Sequence, residues 1–236
     1  MSSVNVKTNR SVSHLFQNPL KRSTPGGSGK YVRVRVKELC ERDRGRILKH
    51  FLGLEKSDRL LRFGTYLPDA QITTYVNQIN FKRDAVFGVY SGMFRLNAVG
   101  HLAFAPRPVA LDKQAATEKD RVAEFGVSVA YPMRGTGVGS KLFERAAIHC
   151  RNNDVDTLYM HCLSSNQTMM HIAKKAGMEI QRDYGEADAY LKLPPANPSS
   201  ILQEAMEEQF ATFDYTFKSA LRSALKWLGR LFGRSP

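Results

Sequence analysis

Three glycines on alternate positions mark the stretch of this sequence that is best suited to bind an anion. The segment "YPMRGTGVGSKLF", residues 131–143, contains Gly135, Gly137, Gly139 and one cation, Arg134, but no acidic side chain. It follows the apolar run "AEFGVSVA" and precedes an amphipathic stretch, which predicts a strand, a turn and a helix N-terminus. Unpaired amides and the dipole of a helix N-terminus favour negative charge, and glycines allow close approach of the backbone. The residues therefore indicate a pyrophosphate site.

Two common nucleotide-binding patterns do not match this stretch. A P-loop requires GxxxxGK[ST], whereas here Lys141 comes two residues after the last glycine and is followed by Leu142. A dinucleotide-binding fold requires GxGxxG early in a βαβ unit, and the strand before these glycines is the fourth that we predict in the chain. Neither of these nucleotide-binding classes is therefore predicted.

Three side chains on predicted strands could take part in proton transfer. His101 and His161 carry the group that titrates nearest neutrality, but a strand histidine can equally be a hydrogen-bonded structural residue. Glu124 could be a carboxylate base that acts through a water, or a strand-end residue in solvent. Cys162 follows His161 directly and should face the opposite side of the sheet, so no Cys–His dyad is predicted. No His, Cys and acid cluster has metal-ligand spacing.

The elements that would position these residues predict a mixed α/β domain. The predicted order begins with a strand and helices (βαα), continues with two strands (ββ) and ends with alternating strands and helices (βαβαβ). The crossover in the last part should make two strands neighbours in one sheet. Ser57 and Asp58 are good helix-capping residues, and Gly177 is suited to a left-handed helix end. The predicted strands are 31–39, 84–92, 96–106, 122–130, 157–163 and 188–193, and the predicted helices are 42–54, 57–64, 69–79, 140–153 and 166–177.

Composition limits the classes of protein that this chain can belong to. The chain has 236 residues and a formal net charge of +13, which indicates an anionic partner. Three cysteines without CxxC spacing indicate reduced thiols and a cytoplasmic protein. No apolar run approaches the roughly 20 residues of a membrane span. Residues 1–30 are basic, lack acids and predict a disordered arm, with an organellar transit peptide as the alternative.

The glycine-rich stretch resembles the signature of the GNAT acetyltransferase superfamily, [RQ]xxGx[GA]. Arg134, Gly137 and Gly139 match that signature. The surroundings agree with it, because an apolar strand precedes the stretch, a helix follows, and then come the strand "TLYMHCL", Asn166 and "KKAGM". "SDRLLRFG" also resembles a second-helix segment of bacterial members. The resemblance covers residues 31 to 193 and implies a central mixed sheet flanked by helices.

The resemblance implies an N-acetyltransferase that uses acetyl-CoA, without a metal, and acts by direct attack of an amine on the thioester. Strand 123–130 would splay from strand 157–163, and the pantetheine arm would bind the backbone of Val127 and Val129. Asn166 matches a position that often touches the cofactor. Glu124 lies on the strand that supplies the base in several members, and His101 is our second catalytic candidate. The loop that would hold the pyrophosphate comprises Arg134, Gly135, Thr136, Gly137, Val138, Gly139 and Ser140.

One departure from the family pattern leaves a second function open. Many members carry a tyrosine seven residues after the asparagine as the acid for the leaving thiolate, and this chain has Ala173 there. The alternative is a non-catalytic acyl-CoA-binding regulatory module. The sequence does not identify the acceptor amine, which could belong to a small molecule or a protein.

The segment after the domain predicts an amphipathic helical extension. "NPSSILQEAMEEQF" begins with capping serines, and residues 217–234 combine an apolar face with basic residues and no acid. Three partners fit this pattern: the protein's own sheet or a second copy in a homodimer, an anionic membrane surface at the inner membrane, or another protein. Nucleic acid is disfavoured because aromatic and basic residues do not interleave. We therefore predict an arm at 1–30, an acetyltransferase domain at 31–195 and a helical tail at 196–236.

Overall fold

The computed structural model describes residues 34–91, 94–104 and 121–209. These residues form a mixed α/β fold, as the sequence predicted. The predicted arm and the basic amphipathic segment 217–234 lie outside the described residues. The strands are β1 Lys37–Leu39, β2 Ala85–Tyr90, β3 Leu96–Phe104, β4 Val122–Val129, β5 Thr157–Leu163, β6 Glu179–Asp183 and β7 Glu186–Lys192. The helices are α1 Arg44–Leu52, α2 Lys56–Phe63, α3 Asp69–Gln78, α4 Val138–Asn152, α5 Gln167–Ala176 and α6 at 198–209.

The sheet consists of two antiparallel parts that meet at one parallel pair. The strand order is β1-β2-β3-β4-β5-β7-β6, and only β4 and β5 run parallel within these strands. Their register covers three residue pairs, from Val122 with Thr157 to Glu124 with Tyr159. Beyond Glu124 the two strands diverge, which confirms the predicted splay.

Strand alternation distributes the core over both faces of the sheet. On one face, Phe125 and Leu158 pack with Phe143 of α4 and with α5. On the other face, Val86 and Val99 pack with buried residues of α1 and α3. Burial of each large apolar side chain contributes roughly 1.5–3 kcal/mol, so the two layers fix both groups of helices on the sheet.

Several predicted boundaries differ from the structure. The strand predicted at 31–39 is limited to Lys37–Leu39 within the described residues, and β6 was not predicted. β6 and β7 form a hairpin whose two turn residues, Tyr184 and Gly185, have positive φ values of 40° and 92°. The predicted caps Ser57 and Asp58 lie inside α2, which begins after Glu55. Gly177 ends α5 at φ 71°, as predicted.

α6 packs against α4 through polar contacts. The N-cap of α6 is Asn197 and not a serine, because its side chain accepts the amide of Ser200 at 2.8 Å; the hydroxyl of Ser200 in turn accepts the amide of Asn197 at 3.2 Å, so one predicted serine takes part in the cap. Glu204 accepts hydrogen bonds from Arg145 at 2.5 Å, from His149 at 2.7 Å and from Asn152 at 2.5 Å. Arg145 is almost fully buried, and its charge is balanced mainly by this carboxylate, with Glu38 farther away at 3.7 Å. None of the helices in the described part of the chain is long and apolar enough to cross a membrane.

Candidate active site

A cavity of about 400 Å³ opens where β4 and β5 diverge. Its volume lies in the range of small-molecule sites. It is bounded by the end of β4, the glycine turn, the first turns of α5 and one side of α2. Most of the predicted cofactor-binding residues line it: Val127, Val129, Arg134, Gly135, Gly137, Val138, Gly139, Ser140 and Asn166. Thr136 is the exception, and its hydroxyl donates to the carbonyl of Met133 at 2.6 Å.

The glycine turn places the N-terminus of a long helix at one end of the cavity. Gly135 and Gly137 have φ values of 71° and 81°, a conformation that residues with a Cβ rarely adopt. Gly137 is the N-cap of α4, so the amides of Val138, Gly139 and Ser140 have no partner within the helix. These amides and the positive end of the helix dipole provide the donors and the charge that favour a phosphate group.

Arg134 joins the glycine turn to α2. Its guanidinium forms an ion pair with Asp58, and its Nε donates to the carbonyl of Val129 at 3.1 Å. Arg134 and Asp58 both line the cavity. Asp58 was predicted as a helix cap, but the structure makes it the counterion of the predicted phosphate-binding arginine.

Asn166 begins α5 and ties that helix to α2. Its side-chain oxygen accepts the amide of Met169 at 3.2 Å, and its side-chain nitrogen donates to the carbonyl of Leu61 at 3.1 Å. Both contacts serve the fold, because they hold the two helices that flank the cavity. Its contact with a cofactor stays a prediction.

The two predicted catalytic residues lie on one face of the sheet, outside the cavity wall. Glu124 is exposed and pairs in register with Tyr159, whereas His101 pairs in register with Gly126. Burial, followed by the nearby charge of Arg62, lowers the pKa of His101 to about 4. A histidine with so low a pKa is neutral at pH 7 and is a weak base towards an ammonium group. The catalytic roles of both residues stay predictions.

His101 belongs to a chain of hydrogen bonds that ends at Arg62. The hydroxyl of Tyr75 lies 2.8 Å from Nδ1 of His101 and accepts from Nη2 of Arg62 at 3.0 Å. Nε2 of His101 lies 3.5 Å from the carboxylate of Asp84. His101 therefore connects a buried carboxylate to a guanidinium in the cavity wall.

His161 lies beyond the cavity, on the exposed face of β5 and β7. Asp188 accepts from the hydroxyl of Tyr159 at 2.6 Å and lies 2.8 Å from Nδ1 of His161. The hydrogen bond from Tyr159, followed by that from His161, lowers the pKa of Asp188. Cys162 is buried on the opposite face, which confirms that it forms no dyad with His161.

Sequence reasoning missed several residues of the cavity region, among them Arg62, Ser128 and His50. Arg62 lines the cavity and lies against Gly126, where a Cβ would be 2.6 Å from its Cζ. A glycine inside a strand often marks such a close approach, and Gly126 was the available signal. Ser128 also lines the cavity and donates to Nε2 of His50 at 2.7 Å, while Nδ1 of His50 faces the carbonyl of Leu96. This pair anchors α1 on the sheet. Among the described residues, no group of His, Cys, Asp or Glu could hold a metal.

Comparison with known proteins identifies the fold. Residues 66–178 match the model of the Acetyltransferase (GNAT) family. The GNAT domain of PAT from S. lividans is 18% identical, with a TM-score of 0.55 over 68% of this chain and 90% of that chain. A phosphinothricin acetyltransferase from Sinorhizobium meliloti, in complex with AcCoA, is 11% identical, with a TM-score of 0.53 over 71% and 95%. An N-acetyltransferase from Staphylococcus aureus Mu50 is 13% identical, with a TM-score of 0.51 over 69% and 100%. Comparison with curated proteins gives no match.

Proposed function

Because residues 66–178 match the GNAT acetyltransferase family model, we propose that the chain transfers the acetyl group of acetyl-CoA to an acceptor amine by direct attack. The observation that carries this proposal is the cavity between the diverging β4 and β5, with a glycine turn and a helix N-terminus at one end. A cavity of this form suits a long, narrow ligand with phosphates at one end.

The residues present fit acetyl-CoA. The amides of the glycine turn and the first turn of α4 would hold its pyrophosphate, and Arg134 and Lys175 supply positive charge in the same wall. The pantetheine arm would extend along β4, which beyond Glu124 has no strand partner on the side of β5. This orientation directs the acetyl group towards Arg62 and Gly126. Acetyl-CoA would supply an activated thioester, and the protein would position it.

Glu124 is our candidate for the group that receives the proton of the acceptor ammonium. Its carboxylate is exposed on the face of the sheet next to Tyr159, and a water can relay the proton. Asp188 and Glu186 lie farther along the same face, where their charge would favour a protonated amine. His101 is better suited to position Tyr75 than to act as the base, since it is buried and hydrogen-bonded.

One observation favours a second function, the binding of acyl-CoA without transfer. Ala173 is 1% exposed in the core beside α4, and it is not among the residues that line the cavity. The position where many members carry a tyrosine therefore supplies no proton to a leaving thiolate. Under the proposed transfer, water in the cavity protonates the thiolate, and under the alternative no transfer occurs.

Transfer of labelled acetyl from acetyl-CoA into fractionated lysate tests the proposal. We expect labelled product with the wild-type protein and, for Gly137→Trp, at least a tenfold loss, because the indole would occupy the phosphate end of the cavity. Gly45→Ala is the control, since a Cβ at Gly45 meets no atom within 4 Å and that glycine has a helical conformation. It should keep full activity and gain up to about 1 kcal/mol in stability.

Three outcomes separate the two functions. Label that depends on an intact glycine turn would support acetyl transfer, and the labelled fraction would show whether the acceptor is a small molecule or a protein. Binding of acetyl-CoA, measured by calorimetry, without label in any fraction would favour the non-catalytic module. Absence of both binding and label would contradict both functions.

A further inference from the structure

We propose that Arg62 is a catalytic residue that hydrogen-bonds the acyl carbonyl oxygen and stabilises its negative charge during transfer. This inference rests on the proposed acetyl transfer and adds a residue that the family signature does not contain. It depends on three observations: the unsatisfied donors of Arg62, its position in the cavity, and the network that orients it.

The guanidinium of Arg62 has hydrogen-bond donors without acceptors and lies among largely apolar side chains. It lies 5.0 Å from the ring of Phe63 and within 6 Å of the rings of Phe51 and Tyr75. Nη2 donates to Tyr75, Nε is buried without an acceptor, and Nη1 makes no hydrogen bond to any described residue. No carboxylate forms an ion pair with Arg62 within the described part of the chain. A buried donor without an acceptor costs about 1–3 kcal/mol, so a ligand oxygen in this position would be favourable.

The position of Arg62 corresponds to the acyl end of the proposed ligand. The guanidinium lies flat against Gly126, two residues beyond the point where the pairing of β4 with β5 ends. The glycine turn, which would hold the phosphates, lies farther along the same wall, beyond Val129, and the Arg134–Asp58 ion pair joins it to α2 one helical turn before Arg62. A side chain at position 126 would displace the guanidinium, because a Cβ there would be 2.6–2.7 Å from three of its atoms.

The uncharged side chains of Tyr75 and His101 orient Arg62 by hydrogen bonds and place no negative charge beside its guanidinium. The Tyr75 hydroxyl accepts from Arg62 and donates to Nδ1 of His101, so Nε2 of His101 carries the proton and faces Asp84. Asp84 is paired with Arg83 at 2.8 Å. The carboxylate therefore lies at the far end of the chain, and the guanidinium keeps its electrostatic effect on the cavity.

The reaction step conserves atoms and charge. The acceptor nitrogen forms a bond to the acyl carbon, and the carbonyl π electrons move onto the oxygen, which accepts a hydrogen bond from Arg62. The carbonyl re-forms as the carbon–sulfur bond breaks, and the thiolate leaves and takes a proton from water. The nitrogen loses its proton to Glu124 or to water. Arg62 transfers no proton and acts only on the charge of the oxygen.

The test compares Arg62→Met and Arg62→Lys with Arg44→Met. Arg44 also packs on an aromatic ring, Phe81, and donates to carbonyls of α3 and its end, but it does not line the cavity. For each variant, we would measure the melting temperature, the kcat of transfer and the affinities for CoA and acetyl-CoA by calorimetry. Arg62→Met should lower kcat by about 10²–10³-fold, as loss of one donor to a developing oxyanion does.

The binding data give a readout that does not depend on activity. Arg62→Met should leave the affinity for CoA unchanged within about twofold, because CoA has no acyl oxygen. It should lower the affinity for acetyl-CoA by about tenfold. Arg62→Lys should lower kcat and the affinity for acetyl-CoA less than Arg62→Met does, and Arg44→Met should change neither quantity. If Arg62→Met does not fold, Tyr75→Phe removes one hydrogen bond to Arg62 and should lower kcat by about tenfold.

Several results would overturn the role of Arg62. One is a kcat within threefold of wild type in a folded Arg62→Met protein. Another is an equal loss of affinity for CoA and acetyl-CoA. A third is a KM that rises for acidic acceptors alone while kcat is unchanged. Failure of the proposed function is distinguishable, since it would abolish transfer by the wild-type protein. The ratio of the CoA and acetyl-CoA affinities would still measure the contact of Arg62 with the acyl oxygen.

Discussion

At the scale of single residues, the ion pair between Arg134 and Asp58 decides how much positive charge the cavity offers to a phosphate. Arg134 is 42% exposed at its side chain and Asp58 is 14% exposed, so solvent screens the pair only in part. A bound pyrophosphate would share Arg134 with a carboxylate that lies in the same wall. The carboxylate therefore opposes phosphate binding while it fixes the orientation of the arginine.

We expect Asp58→Asn to bind CoA about two- to fivefold more tightly than wild type, which is the magnitude of one partly exposed ion pair. The amide keeps the size of the side chain and removes the negative charge. Calorimetric titration with CoA at two salt concentrations measures the effect, which should shrink at high salt. Weaker binding would show instead that orientation of Arg134 outweighs repulsion of the phosphates.

The residues of the cavity divide into those that the sequence predicted and those that it could not. Arg134, Gly137 and Gly139 lie within six residues of one another, at the turn and first residues of α4, so their pattern was visible in the sequence. Arg62 comes from α2 and reaches β4 only through tertiary packing. Gly126 indicated that some group approaches the strand closely, but a glycine in a strand does not identify which residue does so.

At the scale of elements, α6 is held on α4 mainly by the carboxylate of Glu204, and Glu207 adds an ion pair with Lys141 at 3.4 Å. Burial raises the pKa of Glu204, but hydrogen bonds from His149 and Asn152 and the charge of Arg145 outweigh burial and lower it from 4.5 to about 2. A carboxyl with a lowered folded-state pKa stabilises the protein above its unfolded-state pKa. That stabilisation is lost as the pH falls from about 4.5 towards 2.

Glu204→Gln should lower the free energy of unfolding at pH 7 by about 3 kcal/mol, because it leaves buried Arg145 with only the carboxylate of Glu38, which lies farther away at 3.7 Å. The melting temperature should fall by roughly 6–12 °C. Calorimetry between pH 2 and pH 7 should also show that the variant loses less stability than wild type as the pH falls below about 4.5. Glu208→Gln, an exposed change on the same helix, should stay within about 0.5 kcal/mol of wild type.

The elements that the sequence located are those with strong periodicity. α4 and β4 carry clear apolar stripes, and both were found within a few residues of their ends. β6, "EIQRD", has few apolar residues and is largely exposed, so no alternation marked it. Its hairpin contains Tyr184 at a positive φ, where Asn or Gly would have given the usual turn signal.

At the scale of the whole molecule, the first residues of the predicted tail pack against the predicted acetyltransferase domain. Residues 198–209 pack on α4, and Ser200 and Glu204 contact the side chain of Asn152. The boundary that was predicted near 195 therefore separates two segments that are in contact. The partner of residues 217–234 stays a prediction.

Two truncations should differ in stability. A chain ending at Gln209 keeps all the described contacts and is the reference for the comparison. A chain ending at Asn197 loses Glu204 and should melt at least 6 °C lower, by the same loss of a buried pair. Differential scanning calorimetry of the two chains decides this. Equal melting temperatures would show that α6 contributes nothing to the stability of the domain.

Where β4 and β5 separate, the sheet has an unpaired edge in its interior, although most sheets have edges only at their sides. An exposed edge strand accepts any extended peptide and promotes aggregation. Here α2, α5 and the glycine turn enclose the edge, so access is limited by width. The backbone groups of this interior edge are therefore enclosed by the fold, whereas those of an ordinary edge strand face neighbouring molecules.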